Sequence, residues 1–417
     1  MKLYNTLSEQ KEDFQALGNG VTIYVCGITP YDTTHLGHAF TYTSMDVLIR
    51  YLEMQGFKVR YVQNVTDIDD DILRKAREGG EDWRSLGNRW TAHFVQDLQN
   101  LNVRPPDYYV RATDVIADIV ISVQSLLDRE MAYQSNGNVY FSIDAWPEFG
   151  KLSHLSRDKM LPIANERGNH PDDPHKRDAL DFVLWQGQAP GEPAWDSPWG
   201  PGRPGWHIEC STMSTKYLGT PIDIHGGGAD LCFPHHECEI AQVEPVTNKP
   251  PFVRYWLHTA MVRYQDEKMS KSLGNLIMVR DLLKNYTPDA LRIYLGSHQY
   301  RETWSYSEND LAQASKLAEQ FSAAVSVVGG GAHPLSADFA LDAFKASLDD
   351  DLYTPGAFKA MKTLAEAILA AAHQGKDVRG AQQTLRTCST VFGLRLDAQV
   401  PETHVLEGWN RIMQAIV

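Results

Sequence analysis

Residues 21–54 constrain this chain more than any other stretch. V-T-I-Y-V, from Val21, is a β-branched run that reads as a buried strand, and A-F-T-Y-T-S-M-D-V-L-I-R-Y-L, from Ala39, carries apolar residues at helical spacing. C-G-I-T-P-Y-D-T-T-H-L-G-H, Cys26 to His38, joins them, and V-R-Y-V-Q-N-V, ending at Val65, supplies a second buried strand. Strand, helix, strand in this order predicts a parallel sheet, whose ligands bind outside the C-terminal ends of its strands. Cys26 and Thr66 both stand at such ends and are candidates for one crevice. The N-terminus of the intervening helix exposes unpaired N–H groups, so His35 and His38 would stand where a triphosphate could sit, with Gly37 letting an adenine ring approach the backbone. Two ordinary loop histidines fit the same string, and H-L-G-H alone does not choose. The acidic run Asp67, Asp69, Asp70 and Asp71 fits a cation or a helix N-cap equally well.

Later segments offer partners. From about residue 105 to 200 the pattern loosens, with N-V-Y-F-S-I as a strand, and reads as an insertion into the sheet domain. P-W-G-P-G-R-P-G-W-H-I-E-C then holds aromatic side chains on tight turns. In P-I-D-I-H-G-G-G-A-D-L-C-F-P-H-H-E-C-E-I-A a strand is expected to end at His225 and a helix to begin near Pro234, which would place His235, Cys238 and Glu239 on one helical face. With Cys26 and Cys210 they form a sulfur and nitrogen donor set suited to zinc, although scattered Cys and His lack the tight spacing of a zinc finger. Lys268 and Lys271 in Q-D-E-K-M-S-K-S-L-G-N could neutralise a leaving pyrophosphate or simply be solvated. From Pro288 the pattern is helical and reads as a bundle bracing the sheet domain.

Composition closes off other classes. A chain of 417 residues with 43% hydrophobic and 22% charged residues has room for two or three domains and a large core. No apolar run is long enough to span a membrane and the N-terminus has no secretory character, so the cytoplasm is the expected location. Five cysteines do not make a disulfide framework. A net charge of −14 argues against a broad basic surface for nucleic acid, though not against a local patch.

H-L-G-H after the first strand and K-M-S-K-S some two hundred residues later resemble the signature pair of class I aminoacyl-tRNA synthetases. With Cys26, G-R-P-G-W-H-I-E-C, D-I-H-G-G-G-A-D and F-P-H-H-E added, residues 1 to 310 resemble the cysteine-activating branch of that class. The resemblance implies an α/β fold: a Rossmann-like parallel sheet domain with an insertion, followed by a C-terminal α-helical bundle. The divisions expected are a first catalytic half over 1–105, a connective insertion over 106–200, a second half with the zinc site over 201–262, the K-M-S-K-S and stem-contact region over 263–310, and the bundle over 311–417.

An ATP-dependent, AMP-forming cysteine ligase is what the resemblance implies. ATP, accompanied by Mg²⁺, and L-cysteine would give cysteinyl-AMP; His35, His38, Lys268 and Lys271 would hold the phosphates. One Zn²⁺ per chain would lie on Cys26, Cys210 and His235 with Glu239, unless Cys238 took the fourth place. Thr29, Thr66 and Trp206 match positions around the cysteinyl moiety, with the backbone near Gly27 and Ile28 close by. Thr41, Asn64, Gly228, Asp230 and Val262 match positions around the adenylate, and Val65, His225 and Ala229 are expected in the same substrate and adenylate site. Two acceptors compete. G-I-T-P-Y-D-T-T-H-L-G-H-A, E-R-G-N-H-P at Glu166–Pro171 and a chain that stops at Val417, before an anticodon-binding domain, are more similar to the mycothiol-biosynthesis ligase, whose acceptor is the amino sugar glucosaminyl-inositol. K-M-S-K-S-L-G-N, M-S-T-K-Y-L-G and Glu239 are more similar to a cysteinyl-tRNA synthetase. The amino sugar is the leading expectation, tRNA the alternative, a non-catalytic paralogue the third, and a monomer is expected.

Overall fold

The computed structural model describes residues 1–31, 34–269, 274–331, 333–396 and 402–416, with the Lys268 side chain left out. Five parallel strands form the central sheet in the order Val253–Thr259, Ile222–Gly228, Val21–Ile28, Val59–Val65 and Tyr108–Arg111. Chain order reverses at Val21–Ile28, which is flanked by the next strand in sequence on one side and by one two hundred residues later on the other. Such a switch point opens a crevice at the C-terminal edge of a parallel sheet. The short strand Tyr108–Arg111 lies past the boundary expected at residue 105. Its four residues are too few to show a pattern in the sequence.

Strand alternation divides the core. Ile23, Val25 and Tyr61 point into one apolar cluster, while Tyr24, Cys26 and Val62 point into another, as successive side chains of a strand must. The first cluster takes in the helix Leu36–Met54 and runs unbroken into the C-terminal helices Glu308–Ser326, Thr354–His373 and Arg379–Val391, through Phe321, Phe358 and Phe392. The second is covered by the inserted segment, whose antiparallel sheet comprises Ala132–Ser135, Asn138–Phe141, Phe182–Gly187 and Gly202–Pro204. The terminal helix Thr403–Ile416 packs on Trp83–Asn100, with Trp409 Nε1 donating to the Val103 carbonyl at 2.8 Å. No helix among the described residues is long and apolar enough to cross a membrane.

Two expectations are corrected. The strand does not end at His225 but continues through the three glycines to Gly228. It can, because a Cβ on Gly226 would lie 2.8 Å from Met45 Sδ, and the bare backbone lets the Leu36–Met54 helix sit directly against it. Nor does a regular helix begin near Pro234: a kinked turn, Cys232–His236, with Phe233 extended, precedes the helix Glu237–Thr247. The acidic run resolves as a cap, with Asp69 accepting the Asp71 N–H at 2.7 Å to open the helix Asp70–Gly79.

Candidate active site

The crevice at the switch point is built around four donors from four elements. Cys26 comes from the central strand, Cys210 from the helix Trp206–Leu218, His235 from the kinked turn and Glu239 from the first turn of the following helix. Their ligand atoms lie within 4.8 Å of one another, and all four residues are buried. Cys26 Sγ stands 3.8 Å from Cys210 Sγ and 3.7 Å from Glu239 Oε1, and His235 Nε2 stands 3.2 Å from the same oxygen. Cys238 takes no part. It lies in the apolar cluster with Phe233 and Ala241, while Glu239, one residue on, meets His235 at i, i+4 spacing.

The sequence did not single out a second, overlapping set: Cys26, His225, His236 and Glu239. His236 Nε2 lies 3.3 Å from Cys26 Sγ, and His225 Nε2 lies 3.0 Å from Glu239 Oε2. Further imidazoles stand behind. His236 Nδ1 meets His258 Nε2 at 2.8 Å, His258 Nδ1 meets Thr6 Oγ1 at 2.8 Å, and His207 Nδ1 meets His235 Nδ1 at 3.0 Å. The doubled histidine of F-P-H-H-E was the available signal, but only the turn geometry says that both rings face the cluster.

Burial governs the charge of the whole assembly. It pushes the Cys26 thiol and the Glu239 carboxyl up, pulls His235 and His236 well down, and lowers His207, His225 and His258 to about 3. Beside them the buried Glu209 carboxyl is pushed up by burial and then by Cys210. The protein has thus collected sulfur, nitrogen and carboxyl donors out of water. Among the described residues the ionic neighbours of Glu239 are imidazoles alone. A soft dication fits this donor set, since its charge would offset the desolvation that pushes the Cys26 thiol and the Glu239 carboxyl up.

Residues expected around a cysteinyl group lie beside the cluster. The Trp206 ring stacks on His235 at 4.3 Å. Ile28 ends the central strand, its carbonyl accepting the Thr66 N–H at 3.0 Å just past Val65, and Thr29 follows it. The Gly27 N–H donates to Asn64 Oδ1 at 2.7 Å, and Asn64 Nδ2 reaches toward Thr66 Oγ1 at 3.4 Å. Gly27 is needed where the strand register shifts, because a Cβ there would fall 1.6 Å from the Asn64 carbonyl oxygen.

The positions expected around an adenylate are spread over several elements, Asn64 on the strand Val59–Val65 among them. His35 caps the helix Leu36–Met54, its Nδ1 accepting from the N–H groups of Gly37 at 3.1 Å and His38 at 3.4 Å, and its ring stacks on His38 at 3.8 Å. Thr41 Oγ1 meets Thr259 Oγ1 at 2.6 Å. Gly228 closes its strand, Ala229 and Asp230 form the next turn, and Val262 is buried at the head of a short strand. Arg167, from E-R-G-N-H-P, spans the crevice to Asp230 Oδ2 at 3.1 Å, a cross-link the sequence did not disclose. Lys268 lies in the two-residue strand Glu267–Lys268; Lys271 lies outside the described residues.

Comparison with known proteins adds the rest. The family model for the class I (C) tRNA synthetase catalytic domain matches residues 13–316. A protein named "Cysteine--tRNA ligase" from Shewanella sediminis is 46% identical over 363 residues, covering 87% of this chain and 78% of its own length. One of the same name from Erwinia tasmaniensis is 44% identical and covers 98% and 88%. Among solved structures, Mycobacterium tuberculosis methionyl-tRNA synthetase in complex with methionyl-adenylate superposes with a TM-score of 0.60 at 16% identity, covering 96% and 93%, a likeness of fold. These relatives fit the tRNA alternative better than the leading expectation of an amino-sugar acceptor, which none of them supports. The E-R-G-N-H-P element that favoured it is occupied in cross-linking the crevice through Arg167, and Asn169 donates to the Ala179 carbonyl at 3.0 Å.

Proposed function

The chain belongs to the class I (C) tRNA synthetase family, and from that membership we propose that it is a cysteine–tRNA ligase carrying zinc on Cys26, Cys210, His235 and Glu239. It is an ATP-dependent ligase of the class I family. The single observation that carries the finer reading is the buried convergence of two thiols, an imidazole and a carboxyl at the sheet's switch point. Zinc, when bound, would supply a soft Lewis acid that favours a substrate thiolate over the hydroxyl of serine.

The chain's own residues do the remainder. Trp206, Thr29 and Thr66 position cysteine so that its carboxylate attacks the α-phosphorus of ATP, giving cysteinyl-AMP and pyrophosphate. His35 and His38, at a helix N-terminus, with Lys268 and Lys271, stabilise the charge that moves onto pyrophosphate. Thr41, Asn64, Asp230 and Val262 hold the adenylate, while Arg167 ties the inserted segment down over Asp230. A tRNA hydroxyl then attacks the acyl carbon and AMP leaves. The location that goes with this activity is the cytoplasm.

Product analysis decides among the readings. Purified protein is incubated with zinc, ATP and labelled cysteine, and offered total tRNA or glucosaminyl-inositol separately. We expect cysteine-dependent pyrophosphate release and acid-precipitable label on tRNA. Label on the amino sugar alone would overturn the tRNA reading, and absence of cysteine-dependent pyrophosphate would leave only a non-catalytic paralogue.

A further inference from the structure

Tyr24 lies two residues before Cys26 on the central strand, so the two side chains point to the same face of the sheet. Its ring is fully buried in the apolar cluster that holds Cys26, Cys210 and Met213, and it tilts against His225 with centroids 5.0 Å apart. The helix Trp206–Leu218, which carries Cys210, packs directly on this strand. Other buried phenols of the fold are satisfied: Tyr42 donates to the Cys26 carbonyl at 2.9 Å, Tyr61 to Gln63 Oε1 at 2.7 Å and Tyr300 to Asp351 Oδ1 at 2.7 Å. Among the described residues the Tyr24 hydroxyl makes no bond of that quality. What surrounds it is the donor cluster: after burial itself, Cys210, Cys26 and Glu239 push the phenol up, and Cys210 is also its hydrogen-bonding neighbour.

A buried hydroxyl without a good acceptor costs stability, and phenylalanine would fill the same space without that cost. A thiol is a weak acceptor while it carries its proton, whereas a thiolate is a strong one. Metal binding deprotonates a coordinating thiol, so the acceptor that Tyr24 lacks is created when an ion enters the cluster. A group satisfied only in the ion-bound protein adds to ion affinity while it weakens the ion-free fold.

We infer that Tyr24 is a positioning residue of the metal centre: its hydroxyl donates to the Cys210 thiolate when zinc is bound. The bond fixes the direction of that sulfur and draws charge from it, which keeps the ion electrophilic toward a substrate thiolate. This rests on the zinc proposed above for Cys26, Cys210, His235 and Glu239, and it adds a residue that touches neither the ion nor the substrate.

The test uses the full-length protein and removes one oxygen at a time. Tyr24→Phe keeps the ring; Tyr109→Phe removes another buried hydroxyl without a partner, from a side chain packed against the other apolar cluster. Three readouts are taken: zinc affinity by chelator competition, the thiolate-to-metal charge-transfer band after cobalt substitution, and the denaturant midpoint after zinc removal. Tyr24→Phe should weaken zinc binding about 10- to 100-fold, move the band to longer wavelength as the sulfur regains charge, and raise the zinc-free midpoint. Tyr109→Phe should leave affinity and band as in the wild type. Unchanged affinity or an unchanged band in Tyr24→Phe would overturn the role. A lowered zinc-free midpoint, or an equal loss of affinity in both variants, would make the hydroxyl merely structural and overturn it too. A wild type that holds no stoichiometric zinc would overturn the zinc proposal first, and this role with it.

Discussion

Two clusters of buried ionisable side chains lie on opposite faces of the same sheet, and they are built on opposite principles. On the bundle face Asp46, on the Leu36–Met54 helix, meets both guanidinium groups of its neighbourhood. Arg50 Nε bridges its two oxygens at 3.0 Å, Arg292 Nη2 reaches Oδ2, and the Arg104 N–H donates to Oδ1 at 2.8 Å. The arginines' other N–H groups go to the carbonyls of Asn102, Thr390, Leu101 and Phe392. On the insertion face Cys26, Cys210, His235 and Glu239 converge with neutral imidazoles around them. Glu402 Oε1 accepts from Arg50 Nη1 at 3.1 Å, so two carboxylates meet two guanidinium groups, and the first cluster balances its charge internally and holds the bundle to the sheet. Among the described residues the second gathers donors without a balancing cation of its own, which is how a protein prepares a place for one. Burial alone therefore does not mark function; what marks it is buried polarity that the fold does not itself neutralise.

The sharpest way to break this contrast is to remove Asp46. Asp46→Ala leaves Arg292 buried without its carboxylate and Arg50 with Glu402 alone, and we expect a stability loss of about 3–5 kcal/mol, read from the denaturant midpoint, with zinc content unchanged. Loss of zinc in that variant would mean the two faces are coupled rather than independent.

Next in size come substitutions in the donor cluster, which also decide between its two overlapping sets. Cys210→Ala should abolish stoichiometric zinc and lower cysteine-dependent pyrophosphate exchange by about 10²–10³-fold. His236→Ala should weaken metal affinity by only about 10–100-fold, as loss of a supporting imidazole does. The reverse order would assign the ion to Cys26, His225, His236 and Glu239 instead.

The smallest expected effect is on acid stability. Burial alone would raise the Asp46 carboxyl, but Arg50, Arg292 and the Arg104 N–H together hold it below the ordinary carboxylate range. Burial and the like charge of Arg50 pull Arg292 down, though a guanidinium stays charged far above neutrality. A carboxyl depressed in the folded state contributes stability above its unfolded value, about 3.9, and that contribution fades as pH falls through the folded value. The unfolding free energy of the wild type should therefore drop more steeply than that of Asp46→Asn below about pH 4. Parallel curves for the two proteins would remove Asp46 from the account of acid stability.

Much of this was legible in the sequence, because period and punctuation are local. The strand before Cys26, the helix after His38 and the strand ending at Val65 follow from alternation and helical spacing within windows of a few residues. Types of donor are local too, so Cys26, Cys210, His235 and Glu239 could be nominated by their chemistry. The strand through Gly226 was not legible, because glycine weakens a strand pattern and the Met45 contact that favours it comes from a distant helix. Arg167 and Asp230 meet across 63 residues, and nothing near either one announces the other.

The sequence by itself determined the parallel α/β architecture, the helical C-terminal region and which side chains were chemically able to hold a phosphate or a metal. Only the tertiary structure decided which of them meet. Cys26 and Cys210 are 184 residues apart, and their approach depends on the reversal of strand order at the central strand. His235 and His236 are neighbours with identical side chains, and the turn that follows the extended Phe233 brings both rings against Glu239, while Cys238 lies in the apolar core. Composition and spacing carry chemical capacity, but proximity between distant segments is a property of the packed chain.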